Sequence, residues 1–325
     1  MNFKSLKRFS EKVKVTKPVE IDYYNLLKPN KGLMDKLESA IGSKALGAFL
    51  IKNMPKEYIQ SKNLLYQKAF ILGNLKEEYL NNLSSKNSKV KLGWNYANHN
   101  PFYDNKSEVD LMYGLYMART LTEKLVFPEN PDLENLYSNI WPDVSKPEYK
   151  DLKNYKEYYQ NLGIEINKIH KLILPHLDEF VNFKVPRFEK GTFTKFTENH
   201  DPHAVLNICF PTEKYPTLPE ASKKSWINWH TDSCILTGVV PAIYVDSYGN
   251  RLDYNNPCFK IKDRNDKVHD IQYEENDLLI QTGDYSFVFS GGEILSVPHG
   301  VMLNENVPKN AFRFTFAQFF NPDMK

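Results

Sequence analysis

Trp229-His230-Thr231-Asp232 lies in an apolar, β-prone run, and two further stretches answer to it: Val297-Pro298-His299-Gly300 and Phe312-Arg313-Phe314-Thr315-Phe316-Ala317-Gln318-Phe319. Side chains on a strand alternate with period two. His230 and Asp232 are therefore expected on one side of a strand, where both can face a single metal ion. His299, in a second β-prone segment, supplies a third ligand. Two neutral imidazoles and one carboxylate form the facial triad that suits iron(II) and leaves coordination positions open.

His-x-Asp spacing alone often arises by chance, and its blander reading is a satisfied surface or turn histidine. The order and chemistry of the residues downstream raise the signal. In the last stretch Phe312, Phe314 and Phe316 share one face of a strand, and Arg313 and Thr315 share the other. A guanidinium fork beside a hydroxyl is suited to hold a carboxylate by a bidentate contact plus one hydrogen bond. A lone arginine would more simply serve in a structural salt bridge; a metal triad just upstream favours an anionic ligand.

On these residues the chain resembles the iron(II)/2-oxoglutarate-dependent dioxygenases, in the branch that includes isopenicillin N synthase. The resemblance is carried by His230-Thr231-Asp232, Ser296-Val297-Pro298-His299 and Arg313-Phe314-Thr315, in that branch's order. It also takes in Asp277-Leu278-Leu279-Ile280-Gln281-Thr282-Gly283-Asp284, similar to the strand and turn before the distal histidine. The resemblance implies that His230, Asp232 and His299 bind Fe(II), and that Arg313 and Thr315 hold the distal carboxylate of 2-oxoglutarate. Asn207 is a further expected cosubstrate contact, and oxygen the second cosubstrate.

The chain also departs from that branch. An Asn-x-Tyr segment is frequent there, but the comparable run here is Leu206-Asn207-Ile208-Cys209-Phe210-Pro211, without tyrosine. Thr315 stands where serine is commoner, and Gly300 follows the distal histidine where many relatives carry arginine. Asp232 is intact, which argues against the halogenating relatives that vacate this position.

The implied activity is oxidation of an unactivated C–H bond of a small molecule by hydroxylation, desaturation or ring closure. 2-Oxoglutarate and oxygen would become succinate and carbon dioxide. An amino-acid-derived natural product, such as a kainoid precursor, is among the expected substrates. Two rivals stand beside it: an oxidase on the same scaffold that uses no 2-oxoglutarate, and a non-catalytic metal- or ligand-binding jelly roll. Tyr96, Lys195, His203 and Phe319 are candidate substrate contacts from position alone. His200-Asp201-Pro202-His203 is a competing metal cluster, read as a turn or pocket edge because of its proline and polar setting.

The expected fold class is α+β, a double-stranded β-helix (jelly roll) core buttressed by helices. Residues 1–18 read as a basic leader and 19–325 as one catalytic domain, with a mixed α/β part over 19–185 and the jelly roll from about 186. Val19–Asp22 and Ala48–Ile51 read as strands, Leu33–Ala45, Lys56–Leu72 and Leu75–Leu83 as helices. A longer helix is expected over Tyr149–Phe180, with Tyr155, Tyr159, Leu162, Ile166, Ile169 and Ile173 at helical spacing against a sheet. His170 and His176 belong to it structurally. Short strands separated by turns come after Thr192.

With 325 residues, 41% of them hydrophobic, the chain can bury a full core. Its 42 basic and 40 acidic side chains give a net charge of +2, so no charge-driven affinity for nucleic acid or an anionic membrane is implied. A monomer acting on a small molecule is expected. The three cysteines, Cys209, Cys234 and Cys258, form no C-x-x-C pair and fit a reducing compartment. A cytoplasmic location is expected; Phe3, Leu6, Phe9 and Val13 on one face of a basic N-terminal helix give a weak organelle-targeting look.

Overall fold

Alternating β-prone stretches pair into two sheets, and the stretches with helical period pack on the outer face of the larger one. The computed structural model describes residues 14–28, 31–85, 92–96, 112–124, 137–217, 224–254, 258–303 and 306–323. The apolar face drawn through Phe3, Leu6, Phe9 and Val13 lies outside them.

In chain order the strands of the first part are β1 (Lys14–Thr16), β2 (Val19–Asp22), β3 (Ala48–Lys52), β4 (Gly93–Tyr96) and β5 (Tyr113–Arg119). Those of the second are β6 (His203–Cys209), β7 (Ser225–His230), β8 (Leu236–Val239), β9 (Ile243–Val245), β10 (Phe259–Lys262), β11 (Val268–Ile271), β12 (Leu278–Thr282), β13 (His299–Met302) and β14 (Phe312–Phe320). The helices are α1 (Tyr23–Leu27), α2 (Lys31–Ile41), α3 (Lys56–Gly73), α4 (Glu77–Asn82), α5 (Tyr155–Lys184), α6 (Thr192–Lys195) and α7 (Asp284–Phe289). The architecture is α+β.

The smaller sheet has the order β1-β11-β10-β13-β7; the larger runs β2-β3-β12-β8-β14-β6-β5-β4, with β9 also paired to β14. Register fixes which side chains share a face of the larger sheet. One row crosses it through Arg119, His203, Phe319, Thr237, Gln281 and Ala48. A parallel row runs Asn95, Leu115, Asn207, Thr315, and another Tyr113, Cys209, Arg313, Tyr244. All three point to the smaller sheet, because Val205, Val239, Leu279 and Ala317 of this face form one apolar cluster with Phe259, Ile261, Ile271 and Val301 of the smaller sheet.

The opposite parity meets the helices. Phe312, Phe314 and Phe316 are fully buried there with Tyr159, Leu162, Ile166, Ile169 and Ile173 of α5. Burial of each such side chain contributes roughly 1.5–3 kcal/mol. Tyr159 and Phe316 meet edge-to-face at 4.9 Å between ring centroids.

Several boundaries differ from expectation for local reasons. Residues 14–16, assigned to the leader, instead pair in parallel with β11, and Thr16 Oγ1 meets His269 Nδ1 at 2.8 Å. The helix expected from Tyr149 starts only at Tyr155. A 3₁₀ turn over Pro147–Leu152 precedes it, and Asn154 at φ 65° interrupts the spiral with a left-handed residue. The helices expected over Leu33–Ala45 and Leu75–Leu83 shorten to α2 and α4. No helix among the described residues is long and apolar enough to cross a membrane.

Candidate active site

His230 is the last residue of β7 and His299 the first of β13, and the two are cross-strand partners. β7 bulges between Ile227 and His230, where two residues face the single Gly300. Such an extra residue kinks a strand and re-aims the next side chain; here it brings the two imidazoles to 4.3 Å between centroids. Asp232 lies beyond the end of β7, not on the shared strand face that period-two alternation predicts. A turn places it instead: its carbonyl accepts from Asp284 N at 2.8 Å. The close approach requires Gly283, because a Cβ there would lie 2.5 Å from that same carbonyl oxygen.

The ligand atoms of His230, Asp232 and His299 all lie within 4.8 Å of one another, and they form the one candidate metal group among the described residues. Each imidazole is oriented by its own backbone. His230 Nδ1–H donates to Asn228 O at 2.8 Å, and His299 Nδ1–H to Val297 O at 2.9 Å. Both Nε2 lone pairs are thereby aimed inward, each 3.7 Å from an Asp232 oxygen. Thr237 Oγ1 and Gln281 Nε2 donate to Asp232 Oδ2 at 2.6 and 2.7 Å. Burial alone would raise the Asp232 carboxyl, but the facing histidines and these two donors bring it below its ordinary value. Burial, opposed by Asp232, lowers His299. A carboxylate with neutral imidazoles is the protonation state that binds a metal.

Farther along the same inner wall, Arg313 is 1% exposed and Thr315 4%. Arg313 Nε and Nη1 and Thr315 Oγ1 are buried without a hydrogen-bond partner among the described residues. An unpaired buried guanidinium is costly enough that native proteins seldom keep one without an anion to meet it. Asn207 stands directly across from Thr315, and Cys209 across from Arg313.

The four candidate substrate contacts separate. His203 and Phe319 are cross-strand neighbours with ring centroids 5.2 Å apart, and Phe319 is opposite Thr237, which touches Asp232. Burial, aided by the nearby Arg119 charge, lowers His203 to about 4, so it is neutral. Tyr96 is a correction. It shares the helix-side face with Trp94, meeting it edge-to-face at 5.4 Å, because one step along a strand reverses the face; Asn95 is the residue of β4 that points inward. Lys195 ends α6 with its ammonium on the Glu189 carboxylate, largely exposed. In the competing cluster Asp201 pairs with Arg119 at 3.1 Å, and His200 Nε2 accepts from Asn321 N at 3.3 Å.

Sequence reading missed Thr237 and Gln281. Gln281 left a signal, an amide inside the apolar run Leu278-Leu279-Ile280, where a buried polar group needs a partner.

No protein-family model matches the chain, and no curated protein matches it. Solved structures are similar in fold. A full-length Neurospora crassa protein, in complex with alpha-KG and thymine, gives a TM-score of 0.69 at 16% identity over 95% of this chain and 86% of that one. JOX2 in complex with 2OG, Fe and JA gives 0.63 at 18% identity over 95% and 76%. The dioxygenase for auxin oxidation 1 of Arabidopsis thaliana, with 2-oxoglutarate, gives 0.59 at 17% identity over 95% and 94%. The chain thus has the fold of 2-oxoglutarate–Fe(II) oxygenases.

Proposed function

We propose that this chain is an iron(II)/2-oxoglutarate-dependent oxygenase that oxidises a C–H bond of a small molecule, and that its two facing sheets are the halves of a double-stranded β-helix. The observation that carries the reading is Arg313, with two buried N–H groups unpartnered beside an equally unpartnered Thr315 hydroxyl, on the wall that also bears Thr237 and Gln281. The residues fit the group: two imidazoles held with Nε2 inward and a carboxylate would hold iron, and Arg313 with Thr315 would hold the distal carboxylate of 2-oxoglutarate, near Asn207. When bound, iron with 2-oxoglutarate and oxygen supplies oxidative decarboxylation to succinate and carbon dioxide, coupled to oxidation of the substrate.

The chain's own contribution is placement. Asn228 O and Val297 O set the imidazole tautomers, Thr237 and Gln281 hold the carboxylate, and the apolar wall of Val205, Val239 and Ala317 limits water. The Phe319–His203 pair, next to Thr237, is the surface on which a substrate would lie. In the oxidase alternative the Arg313 and Thr315 donors would instead meet an anionic group of the substrate, and a requirement for 2-oxoglutarate separates the two readings.

Succinate formation by anaerobically purified protein given iron(II), 2-oxoglutarate and then air tests this. Slow turnover in the parent that is lost in His299→Ala and in Arg313→Ala is the expected result. Iron binding without succinate, and without any effect of 2-oxoglutarate on the metal's spectrum, would transfer the chain to the oxidase or binding-protein class.

A further inference from the structure

The His299 imidazole is aimed by the carbonyl of Val297, so its orientation is only as firm as the loop Leu295-Ser296-Val297-Pro298 that precedes it. Every carbonyl of that loop has a donor. Leu295 O accepts from Thr282 Oγ1 at 2.7 Å, Ser296 O from Arg264 Nη1 at 2.9 Å, Val297 O from the His299 ring at 2.9 Å and Pro298 O from Lys262 N at 2.9 Å. Val297 N in turn donates to Thr282 O at 3.1 Å. Thr282 and Lys262 belong to β12 and β10; Arg264 reaches in from the turn between β10 and β11.

That turn is itself tied down. Asp263 Oδ1 accepts from Asn265 N at 2.8 Å and Lys267 N at 3.1 Å, the local bonding that makes aspartate a turn former, and Asp266 takes φ 58°. Asp263 Oδ2 meets His269 Nε2 of β11 at 2.8 Å. The half-buried Arg264 then lays its guanidinium across two successive carbonyls, Nη1 on Ser296 O and Nη2 on Leu295 O at 3.3 Å. A planar fork fixes the relation of two acceptors, which a lysine ammonium does not. Gly47 leaves it the room: a Cβ there would lie 2.5 Å from Val297 Cγ2 and 2.9 Å from Arg264 Nη2, and φ 85° already favours glycine. A geometrically specific cation is thus placed on the two carbonyls just before the one that orients the imidazole.

We propose that Arg264 is a positioning residue for the candidate metal site, holding the Leu295 and Ser296 backbone so that Val297 O keeps the His299 imidazole directed at the point shared with His230 and Asp232. The assignment rests on the reading of His299 as a metal ligand. It gives the β10–β11 turn, which holds none of the three candidate ligands, a part in metal affinity.

Cobalt(II) titration of the metal-free protein, read by affinity and by the visible d–d absorption bands, tests it beside urea unfolding of the same samples without metal. Arg264→Leu is expected to bind cobalt(II) about tenfold more weakly, the lower end of what partners of metal ligands govern, and to shift the bands, because a turned imidazole changes the ligand field. Arg264→Lys, which keeps the charge but not the fork, is expected to shift the bands in the same direction. Arg251→Leu, which removes an exposed arginine paired with Glu275 at 3.0 Å, is expected to leave affinity and bands as in the parent. A purely structural role lowers the urea midpoint and leaves affinity and bands unchanged; that result in the Arg264 variants overturns the assignment while the oxygenase reading stands. An equal loss in Arg251→Leu also overturns it, tracing the effect to net charge. Should Arg264→Leu not fold, Arg264→Lys decides alone. If the parent itself binds no cobalt(II), the oxygenase reading falls and this one with it.

Discussion

At the scale of single residues, the decisive atoms of the candidate metal site belong to the groups that hold Asp232. Thr237 and Gln281 both donate to one of its oxygens, leaving the other toward His230. Partners of metal ligands typically govern ten- to a hundredfold in affinity. Thr237→Val should therefore weaken cobalt(II) or iron(II) binding by about that factor while the protein stays folded; a parent-like titration would assign Thr237 to packing alone. Gly283 is equally constrained, since a Cβ would lie 2.3 Å from Cys234 O and 2.5 Å from Asp232 O. Gly283→Ala should cost about 1–3 kcal/mol in urea unfolding and displace Asp232, so metal affinity should fall with stability. That His230, Asp232 and His299 come together was legible in the sequence because their chemistry is rare in this order. Thr237 was not, because its role depends on a turn that brings Asp232 back to the start of β8.

At the scale of elements, β14 is the strand that was most legible. Phe312, Phe314 and Phe316 alternate with Arg313, Thr315 and Ala317, and the structure buries the phenylalanines in the helix-side core and Ala317 in the core between the sheets. β7 was less so: alternation put His230 and Asp232 on one strand face, whereas the strand ends at His230 after a bulge set by its pairing with β13. A bulge is a property of two strands, and one strand's sequence does not show it. Tyr96 failed for a related reason, because without its partner strand the face it takes is undetermined. β14 also carries the buried Arg313, whose Nε and Nη1 have no hydrogen-bond partner among the described residues. Arg313→Met should stabilise the metal-free protein by about 1–3 kcal/mol, read as a raised melting temperature, while abolishing the stabilisation that added 2-oxoglutarate gives the iron-loaded parent. A lower melting temperature for the metal-free variant would mean that the guanidinium is satisfied within the protein.

At the scale of the whole molecule, the helix-backed sheet sets the response to acid. His170 on α5 is fully buried against Phe320, neither ring nitrogen having a partner among the described residues, and burial lowers it to about 3; burial likewise lowers His200 to about 3 and His203 to about 4. In the unfolded chain these groups gain a proton near 6.5, the ordinary value. The folded state holds them neutral, so stability is full above that pH and is lost as pH falls toward 3–4. Each such histidine steepens the decline by about 1.4 kcal/mol per pH unit. His170→Leu should flatten the profile between pH 6 and pH 4 by about that slope; an unchanged profile would place the acid sensitivity elsewhere. The order of sequence blocks was enough to indicate the α+β class and the inner placement of Arg313. The row that joins Gln281, Thr237, Phe319 and His203 was not readable, since it is written across four strands far apart in the chain. The most direct measurement of the central claim is an anaerobic crystal structure with iron(II) and 2-oxoglutarate. The account predicts the metal on His230, Asp232 and His299, and a carboxylate within hydrogen-bond distance of Arg313 Nε and Nη1 and of Thr315 Oγ1. Metal elsewhere, or a guanidinium without that carboxylate, would contradict it.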